Sequence, residues 1–256
     1  MTRKLLTRRT ALTGLVGGGT GLLLSGCERV AQIPGALSML ESAEVLSQHT
    51  QRAVLGQIRP LAREYQRSDI SKNFKANGTT RPEGPEYAQL AMDGFSSYRL
   101  KVDGMVARPL ELSLEQIRGL PSRTQITRHD CVEGWSAIGE WTGVPVSTFL
   151  QMAGVGNGSR YLIFHCADNL LGQGFYYESI DLVDAYHPQT IMAYAMNGEA
   201  LPIPHGAPLR LRVERQLGYK MAKYVMRIEV ADSFAKMGRG RGGFWEDLGY
   251  EWYAGI

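Results

Sequence analysis

The alternation of hydrophobic and polar residues predicts short strands in the second half of the chain. Leu209, Leu211 and Val213 alternate with Arg210 and Arg212, which is the pattern of a strand with one face in a core. The two arginines allow two interpretations. They belong either to a polar site or to a solvated sheet face.

Turn and capping signals divide the rest of the domain. Asn197-Gly198 predicts a tight hairpin turn, and Ser113 with Gln116 forms a capping box that begins a short helix. A helix is expected over Val146–Ala153, ending at Gly154. Further strands are predicted at 123–127, 160–166, 191–196 and 223–230, and in the last of these residues 224, 226, 228 and 230 face the core. Residues 98–106 are predicted to form two strands joined by a turn at Asp103-Gly104. A short helix is predicted over 179–185. Short strands mixed with short helices, without regular βαβ units, predict an α+β fold with mixed sheets.

The composition divides the chain into three parts. Residues 1–26 contain Arg8-Arg9 and then a weakly apolar run. The run is shorter than the roughly 20 residues that span a bilayer, and the pattern is typical of a twin-arginine export signal. Residues 27–70 are predicted to be a polar tether and leading arm, with a helix at about 36–47, and residues 71–256 to form one globular domain.

The end of the export signal also resembles a bacterial lipobox. Leu24-Ser25-Gly26 precedes Cys27, which would become a lipidated N-terminus after cleavage. The alternative is an ordinary cleavable signal with an incidental cysteine. The first interpretation predicts a protein of the periplasm or cell envelope, held at a membrane by a lipid anchor.

The charge of the chain argues against nucleic-acid binding. The formal net charge is +3, but residues 1–26 carry four basic residues and no acid. Without them, 24 basic residues stand against 25 acidic ones, so no excess of positive charge remains to attract phosphates. The Arg/Gly-rich stretch 238–243 is therefore interpreted as a loop, and the aromatic residues after it as anchors that pack on the core.

The stretch Arg128–Ser136 carries the most distinctive chemistry. It places Cys131 among charged residues, whereas a structural cysteine usually has apolar neighbours. Arg128 is a positive neighbour that would favour the reactive thiolate. In an oxidising compartment, a disulfide between Cys131 and Cys166 is the alternative, and the spacing alone decides nothing between them.

Several motifs resemble the molybdopterin-binding domain of the sulfite oxidase superfamily. They are Cys131-Val132-Glu133-Gly134-Trp135-Ser136, Trp141–Pro145, His205–Arg210 and Gly218-Tyr219-Lys220. Within that superfamily the chain is most similar to the catalytic subunit of the periplasmic methionine-sulfoxide reductases. The resemblance spans about residues 73–230 and implies the sulfite-oxidase-type fold, without the C-terminal dimerisation domain, since 26 residues follow Val230. It therefore implies a monomeric catalytic unit.

The resemblance also implies a cofactor, molybdenum held by molybdopterin. Cys131 would be the thiolate ligand of the metal and would then not form a disulfide; thiolates are soft ligands that suit such a metal. The residues that would contact the pterin are Asn73, Ala76, Asn77, Cys166, His205, Arg210, Met221, Ala222 and Lys223. Arg210 and Lys223 suit its phosphate, because both side chains form charge-assisted bonds to phosphate oxygens.

Three further residues are candidates for substrate chemistry. Glu133, two residues from Cys131, is expected to relay protons, with a surface carboxylate as the alternative. His129 and Arg128 are expected to steer the substrate, with a structural role as the alternative. Cys166 stands where the reductases have threonine and His205 where they have asparagine, which leaves the substrate open.

The expected activity is two-electron oxygen-atom transfer in the cell envelope, reducing methionine sulfoxide or another S-oxide, small or protein-bound. Electrons would come from a haem-containing membrane subunit or a soluble cytochrome, since the chain has no Cys-x-x-Cys-His haem-attachment motif. A sulfite dehydrogenase acting on an oxyanion is the alternative among enzymes. A cofactor-free lipoprotein that binds an anion or acts as a scaffold is the alternative of another class.

Overall fold

Two five-stranded sheets build the domain that follows the leading arm. The computed structural model describes residues 46–50, 52–53, 60–172 and 174–256. The strands are β1 Arg99–Gly104, β2 Leu110–Ser113, β3 Arg123–Asp130, β4 Ser136–Pro145, β5 Tyr161–Asn169, β6 Phe175–Asp181, β7 Ile191–Met196, β8 Glu199–Ala200, β9 Arg210–Arg212 and β10 Val225–Ala231. The helices are α1 Pro85–Met92, α2 Leu114–Arg118, α3 Val146–Ala153, α4 Leu182–Ala185 and α5 Phe244–Asp247, and short 3-10 turns lie at Arg67–Asp69, Leu170–Gly172, Ile203–His205 and Gly218–Lys220.

The order of strands confirms the α+β prediction with mixed sheets. The first sheet runs β2-β1-β10-β5-β6, and the second runs β3-β4-β7-β8 with β9 also paired to β7. The pair β1 and β10 is parallel, whereas the other strand pairs are antiparallel. The strands that carry the candidate site therefore come from both sheets.

The main hydrophobic core takes side chains from both sheets and from α3. Leu100, Phe164 and Ile228 come from the first sheet, and Val144 and Met192 from the second. All five side chains are fully buried. The two sheets thus share one core rather than forming separate domains.

Two helices lie where the sequence predicts them. The helix α3 spans Val146–Ala153 and ends at Gly154, which has the left-handed conformation that glycine adopts without strain. The helix α2 begins with the expected capping box, in which Gln116 N donates to Ser113 Oγ at 3.1 Å and Ser113 N donates to Gln116 Oε1 at 2.8 Å. Local periodicity and capping were sufficient here.

The turn predicted at Asp103-Gly104 is wrong. Both residues belong to β1, where they pair with Glu229 and Val230 of β10. A Cβ on Gly104 would lie 2.3 Å from the Val230 carbonyl oxygen. The glycine therefore serves a close approach of two strands, and the returning strand is β2.

Two other predicted boundaries shift. Residues 179–181, predicted as helix, end β6, and α4 begins only at Leu182. Tyr224, Ile228 and Val230, which were predicted to face the core, are buried. Met226 is half-buried and Val225 is buried instead, because the register shifts between Val225 and Arg227. An irregularity of this kind reverses the alternation on one side of it.

Residues 65 and 71 bind the second sheet through their backbone. Tyr65 N donates to Ile126 O at 2.9 Å, and Ser71 N donates to Ile138 O at 3.0 Å. The export signal at 1–26, Cys27 and most of the helix predicted at 36–47 lie outside the described residues; residues 46–50 and 52–53 are helical. Among the described helices, none is long and apolar enough to cross a membrane.

The C-terminal aromatic residues pack on the domain as expected. Phe244 and Tyr253 are buried, and Trp252 contacts the ring of Tyr161 edge-on, with a centroid distance of 5.5 Å. The backbone of this segment is fixed by Leu217 N donating to Ala254 O at 2.9 Å. It is therefore part of the folded domain and carries two side chains into the site described next.

Candidate active site

A cavity of about 350 Å³ contains many of the residues named from the sequence. Of the candidates, those that line it are Asn77, Cys131, Glu133, Arg210, Met221 and Lys223. Further lining residues that the sequence analysis did not select are Gly78, Thr79, Val132, Asp168, Leu170, Tyr176, Gly218, Tyr219, Trp245 and Tyr250. The fold thus brings six predicted residues together with ten residues that the sequence analysis did not select.

Cys131 occupies the tight loop between β3 and β4. Its N–H donates to Trp135 O at 2.9 Å, and its carbonyl accepts from Gly134 N at 3.0 Å. The Asn77 side-chain nitrogen lies 3.8 Å from Sγ. These contacts hold the thiol at the cavity wall with 7% of the residue exposed.

The positive neighbour of the thiol is Lys75 rather than Arg128. Arg128 instead binds Asp130, with Nε 2.9 Å from a carboxylate oxygen. Burial, and then the charge of Glu133, raise the pKa of Cys131, whereas Lys75 and Asn77 act to lower it. The proposed thiolate support by Arg128 is therefore wrong.

Cys131 and Cys166 are both free thiols. Cys166, on β5, belongs to the hydrophobic core and does not line the cavity. Burial raises its pKa well above that of an ordinary thiol. The structure therefore separates the reactive candidate from a cysteine that packs as a small apolar residue.

The two arginines of β9 are buried, so the solvated-face interpretation is wrong. Arg212 is paired with Glu214 at 2.6 Å. Arg210 donates to His205 O at 3.0 Å, and its Cζ lies 4.8 Å from the Trp141 ring centroid. Its Nε has no hydrogen-bond partner in the part of the chain that the structure describes. Burial, and next the charge of Arg212, lower the pKa of Arg210 to about 9. Arg210 is thus a cation held ready for an anion.

Lys223 is a second cation of the cavity, and it forms no salt bridge within the residues that the structure describes. Its ammonium donates to the carbonyls of Asn77 at 2.7 Å, Thr79, and Pro204 at 3.1 Å. Burial, and then the charge of Arg210, lower its pKa to about 7. An anion in the cavity would raise this pKa, because a nearby opposite charge favours the charged form of the ammonium.

Asp168, which follows the core of β5, is a site residue that the sequence analysis missed. It is 4% exposed, and its Oδ1 has no hydrogen-bond partner among residues 60–172 and 174–256. Burial raises its pKa to about 6. In the sequence, Asp168 is a polar side chain near the end of a strand, and this position alone does not indicate a site residue.

The two candidate histidines, His129 and His205, lie near the cavity without lining it. His129 is 1% exposed, and its Nδ1 lies 3.0 Å from Arg212 and 3.3 Å from the sulfur of Met221. Burial and the charge of Arg212 lower its pKa well below the usual range. Burial and Arg210 lower the pKa of His205 to about 4. Neither histidine is among the residues that line the cavity.

Phe74 joins several of these residues through its ring. Its centroid lies 5.6 Å from those of His129 and His205, and 5.4 Å from that of Trp141. On either side of it, Asn73 is exposed and Ala76 is half-buried. Neither of these two lines the cavity, and neither does Ala222, whose carbonyl accepts from Leu211 N at 2.8 Å.

Glu133 lies at the exposed edge of the cavity. Its Oε2 accepts from Trp135 Nε1 at 2.9 Å and from Lys75 at 3.1 Å. Both contacts lower the pKa of Glu133, the Trp135 bond more than the lysine. The carboxylate is therefore ionised at neutral pH and in contact with water.

Lys220 does not belong to the site, although it stands within a family-like motif. Its ammonium is fully buried and lies 2.5 Å from both Glu178 and Glu246. Burial, and next the charge of Glu246, raise the pKa of Glu178 well above the usual range. The basic residue thus fixes the C-terminal segment rather than a ligand.

The donors in the cavity fit a molybdenum–molybdopterin group. A free thiol stands ready for a soft metal, and the cations of buried Arg210 and half-buried Lys223 suit a phosphate. The Oδ1 atom of Asp168, which has no hydrogen-bond partner among the described residues, suits the polar edge of a ring system. Residues 87–237 match the family described as "Oxidoreductase molybdopterin binding domain". The chain belongs to this family. Its cofactor is accordingly molybdopterin with molybdenum, and the α+β prediction of a sulfite-oxidase-type domain is confirmed.

Two relatives are similar in sequence to a large part of this chain. A protein of Azospira oryzae with the provisional name protein-methionine-sulfoxide reductase subunit YedZ1 is 43% identical over 160 residues, which are 62% of this chain and 56% of that protein. The protein-methionine-sulfoxide reductase catalytic subunit MsrP of Xanthomonas axonopodis pv. citri is 32% identical over 186 residues, which are 69% of this chain and 55% of that protein. The chain thus spans about half the length of these relatives. The solved sulfane dehydrogenase SoxCD of Paracoccus pantotrophus is 27% identical, with a TM-score of 0.49 over 54% of this chain and 39% of that one.

Proposed function

We propose that this protein is the catalytic chain of an S-oxide reductase of the cell envelope. The observation that carries the proposal is the free thiol of Cys131 in one cavity with two cations, buried Arg210 and half-buried Lys223, that form no salt bridge within the described residues. The names of the relatives, a reductase catalytic subunit and a reductase subunit, support the direction of the reaction.

The residues of the cavity divide into roles. Cys131 binds the metal, Arg210 and Lys223 bind the phosphate, and Asn77 with Met221 flanks the group. When bound, the molybdenum cofactor supplies two-electron oxygen-atom transfer, which no side chain can perform. The chain itself supplies position, charge and the exclusion of water.

Protons are the second requirement of S-oxide reduction. An S-oxide takes up two electrons and two protons and leaves as a thioether and water. Glu133 is placed to carry protons from solvent, because its carboxylate lies at the cavity edge and contacts water. Asp168 holds a proton more readily than an ordinary carboxyl group, since its pKa is about 6.

Electrons come from another protein in this proposal. The word "subunit" in the names of the relatives supports a partner chain. A haem-containing membrane subunit or a soluble cytochrome suits a chain without a haem-attachment motif. Export by the twin-arginine route and a lipid on Cys27 would place the catalytic chain beside such a partner.

The test is a comparison of two reactions of the purified holoenzyme. With a reduced viologen as electron donor, we expect turnover of methionine sulfoxide, free or within a peptide. With ferricyanide as electron acceptor, we expect no sulfite oxidation above that of Cys131→Ala. Sulfite oxidation without S-oxide reduction would contradict the proposed direction and substrate. A wild-type protein that contains no molybdenum would contradict the cofactor site itself.

A further inference from the structure

Two aromatic rings of the C-terminal segment share the cavity with Cys131. Trp245 and Tyr250 both line it and stack on each other, with centroids 5.3 Å apart and ring planes at 27°. They lie beyond residues 87–237, which match the family. The match to the family therefore does not include them.

The two rings are fixed in place by the backbone and by their neighbours. Tyr250 N donates to Trp245 O at 3.0 Å, and the Tyr250 ring meets Tyr219 edge-on at 5.2 Å. Tyr219 Oη donates to Glu251 O at 2.7 Å. Rings held in this way lose little conformational entropy when a ligand binds.

The contacts divide the cavity into a polar part and an aromatic part. Lys223 donates to Asn77, whose side chain in turn approaches the thiol of Cys131. The aromatic rings contact one another instead, from Tyr219 through Tyr250 to Trp245. The polar part accounts for a phosphate and a metal, whereas the aromatic part has no role in holding either.

The aromatic part also keeps polar atoms available. Neither Trp245 Nε1 nor Tyr250 Oη has a hydrogen-bond partner within residues 60–172 and 174–256, and Tyr250 is 39% exposed. An indole N–H and a phenol can donate to an oxygen, and aromatic rings attract sulfur at about 5 Å. These properties match a molecule with an S=O group and apolar substituents.

We propose that Trp245 and Tyr250 form the surface that binds the apolar substituent of the S-oxide substrate. The proposal rests on the proposed function and adds a substrate class: thioether S-oxides with an extended aliphatic or aryl group, in preference to small ones and to inorganic oxyanions. In the reaction the S–O bond breaks, two electrons from the donor and two protons enter, and a thioether and water leave.

The test compares a large and a small S-oxide on holoenzyme, with a reduced viologen as donor. We expect Trp245→Ala and Tyr250→Ala to raise KM for methyl phenyl sulfoxide by roughly tenfold or more, which is the range set by apolar groups in a binding pocket. We expect KM for dimethyl sulfoxide to change by less than about threefold, because a small substrate makes fewer contacts with the two rings. We expect kcat for both substrates to stay within about threefold of the wild-type value. Trp245→Phe should restore most of the discrimination.

Phe175→Ala is the matched control. Phe175 is an exposed aromatic residue that lines a neighbouring cavity but not this one. We expect the variant to behave as wild type with both substrates. Equal changes of KM for both substrates in Trp245→Ala, or no change for either, would overturn the proposal.

Two further measurements distinguish a failure of the aromatic-surface proposal from a failure of the proposed function. Molybdenum and pterin content should be unchanged in Trp245→Ala; their loss would show that the rings hold the cofactor and would overturn the proposal. Binding of methyl phenyl sulfide, the thioether product, is measured by calorimetry and needs no turnover. Weaker binding in both alanine variants than in wild type supports the aromatic surface even if wild type reduces no S-oxide, an outcome that would reject the proposed function alone.

Discussion

Three ionisable side chains of the cavity have pKa values shifted towards the neutral form. Lys223 and Arg210 have pKa values lowered to about 7 and about 9, and that of Asp168 is raised to about 6, in each case mainly by burial. Such groups destabilise the folded chain and are retained where a ligand uses them. Arg210 and Lys223 are among the residues that we assign to the cofactor.

Asp168 provides a prediction that requires no cofactor chemistry. Because its pKa is raised from 3.8 to about 6, the folded state binds the extra proton and loses stability as pH rises through that window. Asp168→Asn removes the effect, so its free energy of unfolding should exceed that of wild type by up to about 3 kcal/mol at pH 7, with no difference near pH 4. Urea unfolding at both values measures this. A difference that does not depend on pH would show that the carboxyl is not the cause.

At the scale of elements, the turn Gly218–Lys220 fits against the end of β3. A Cβ on Gly218 would lie 2.4 Å from the His129 ring. The same ring contacts Met221 through Nδ1. The position of the 218–223 segment, and with it the ammonium of Lys223, therefore depends on a close contact between a glycine and a buried histidine.

Gly218→Ala should disturb this contact. Because His129 is buried and cannot move freely, we expect a loss of roughly 1–3 kcal/mol in the free energy of unfolding, together with reduced molybdenum content. Gly119→Ala is the control, since Gly119 has an ordinary helical conformation and a Cβ there meets no atom closer than 3.4 Å. If Gly218→Ala were as stable and as well loaded as the control, the turn would not depend on His129.

The sequence predicts elements well where local signals decide them. The capping box at Ser113 and the apolar stripe of α3 depend on neighbours within four residues, and both lie where expected. Gly104 and Val225 depend on strand pairing instead, which no local pattern shows. Local alternation therefore fails where a distant strand sets the register.

The same distinction holds for the candidate site. Cys131, Arg210 and Lys223 were found because their motifs resemble a family, and all three line one cavity. Asp168, Trp245 and Tyr250 reach that cavity only through tertiary contacts. Arg212 and Lys220 look like site residues in sequence but are paired with Glu214 and with two other carboxylates.

At the scale of the whole molecule, a buried ion cluster holds the C-terminal segment against the first sheet. Lys220 pairs with Glu178 of β6 and with Glu246 of α5, and all three side chains are inaccessible to water. Glu246 is adjacent to Trp245 in the chain. The cluster therefore links the stability of the fold to the aromatic side of the cavity.

Lys220→Met should be strongly destabilising, because it leaves two carboxylates buried without a cation. We expect a loss of about 3–5 kcal/mol in the free energy of unfolding at neutral pH, measured by chemical denaturation. Arg123→Met provides the comparison, since its pair with Glu64 is partly exposed and should contribute no more than about 1 kcal/mol. Equal losses in the two variants would mean that the buried cluster does not hold the segment.

The central claim, that Cys131 binds the metal of a molybdopterin cofactor in this cavity, is tested most directly by elemental mass spectrometry. Protein isolated from its own cell envelope is compared with Cys131→Ala and with Glu115→Ala, an exposed change on α2 that does not line the cavity. We predict about one molybdenum per chain in wild type and Glu115→Ala, and a lost or altered molybdenum redox signal in Cys131→Ala. A folded wild type without molybdenum, or a Cys131→Ala protein with an unchanged signal, would contradict the account.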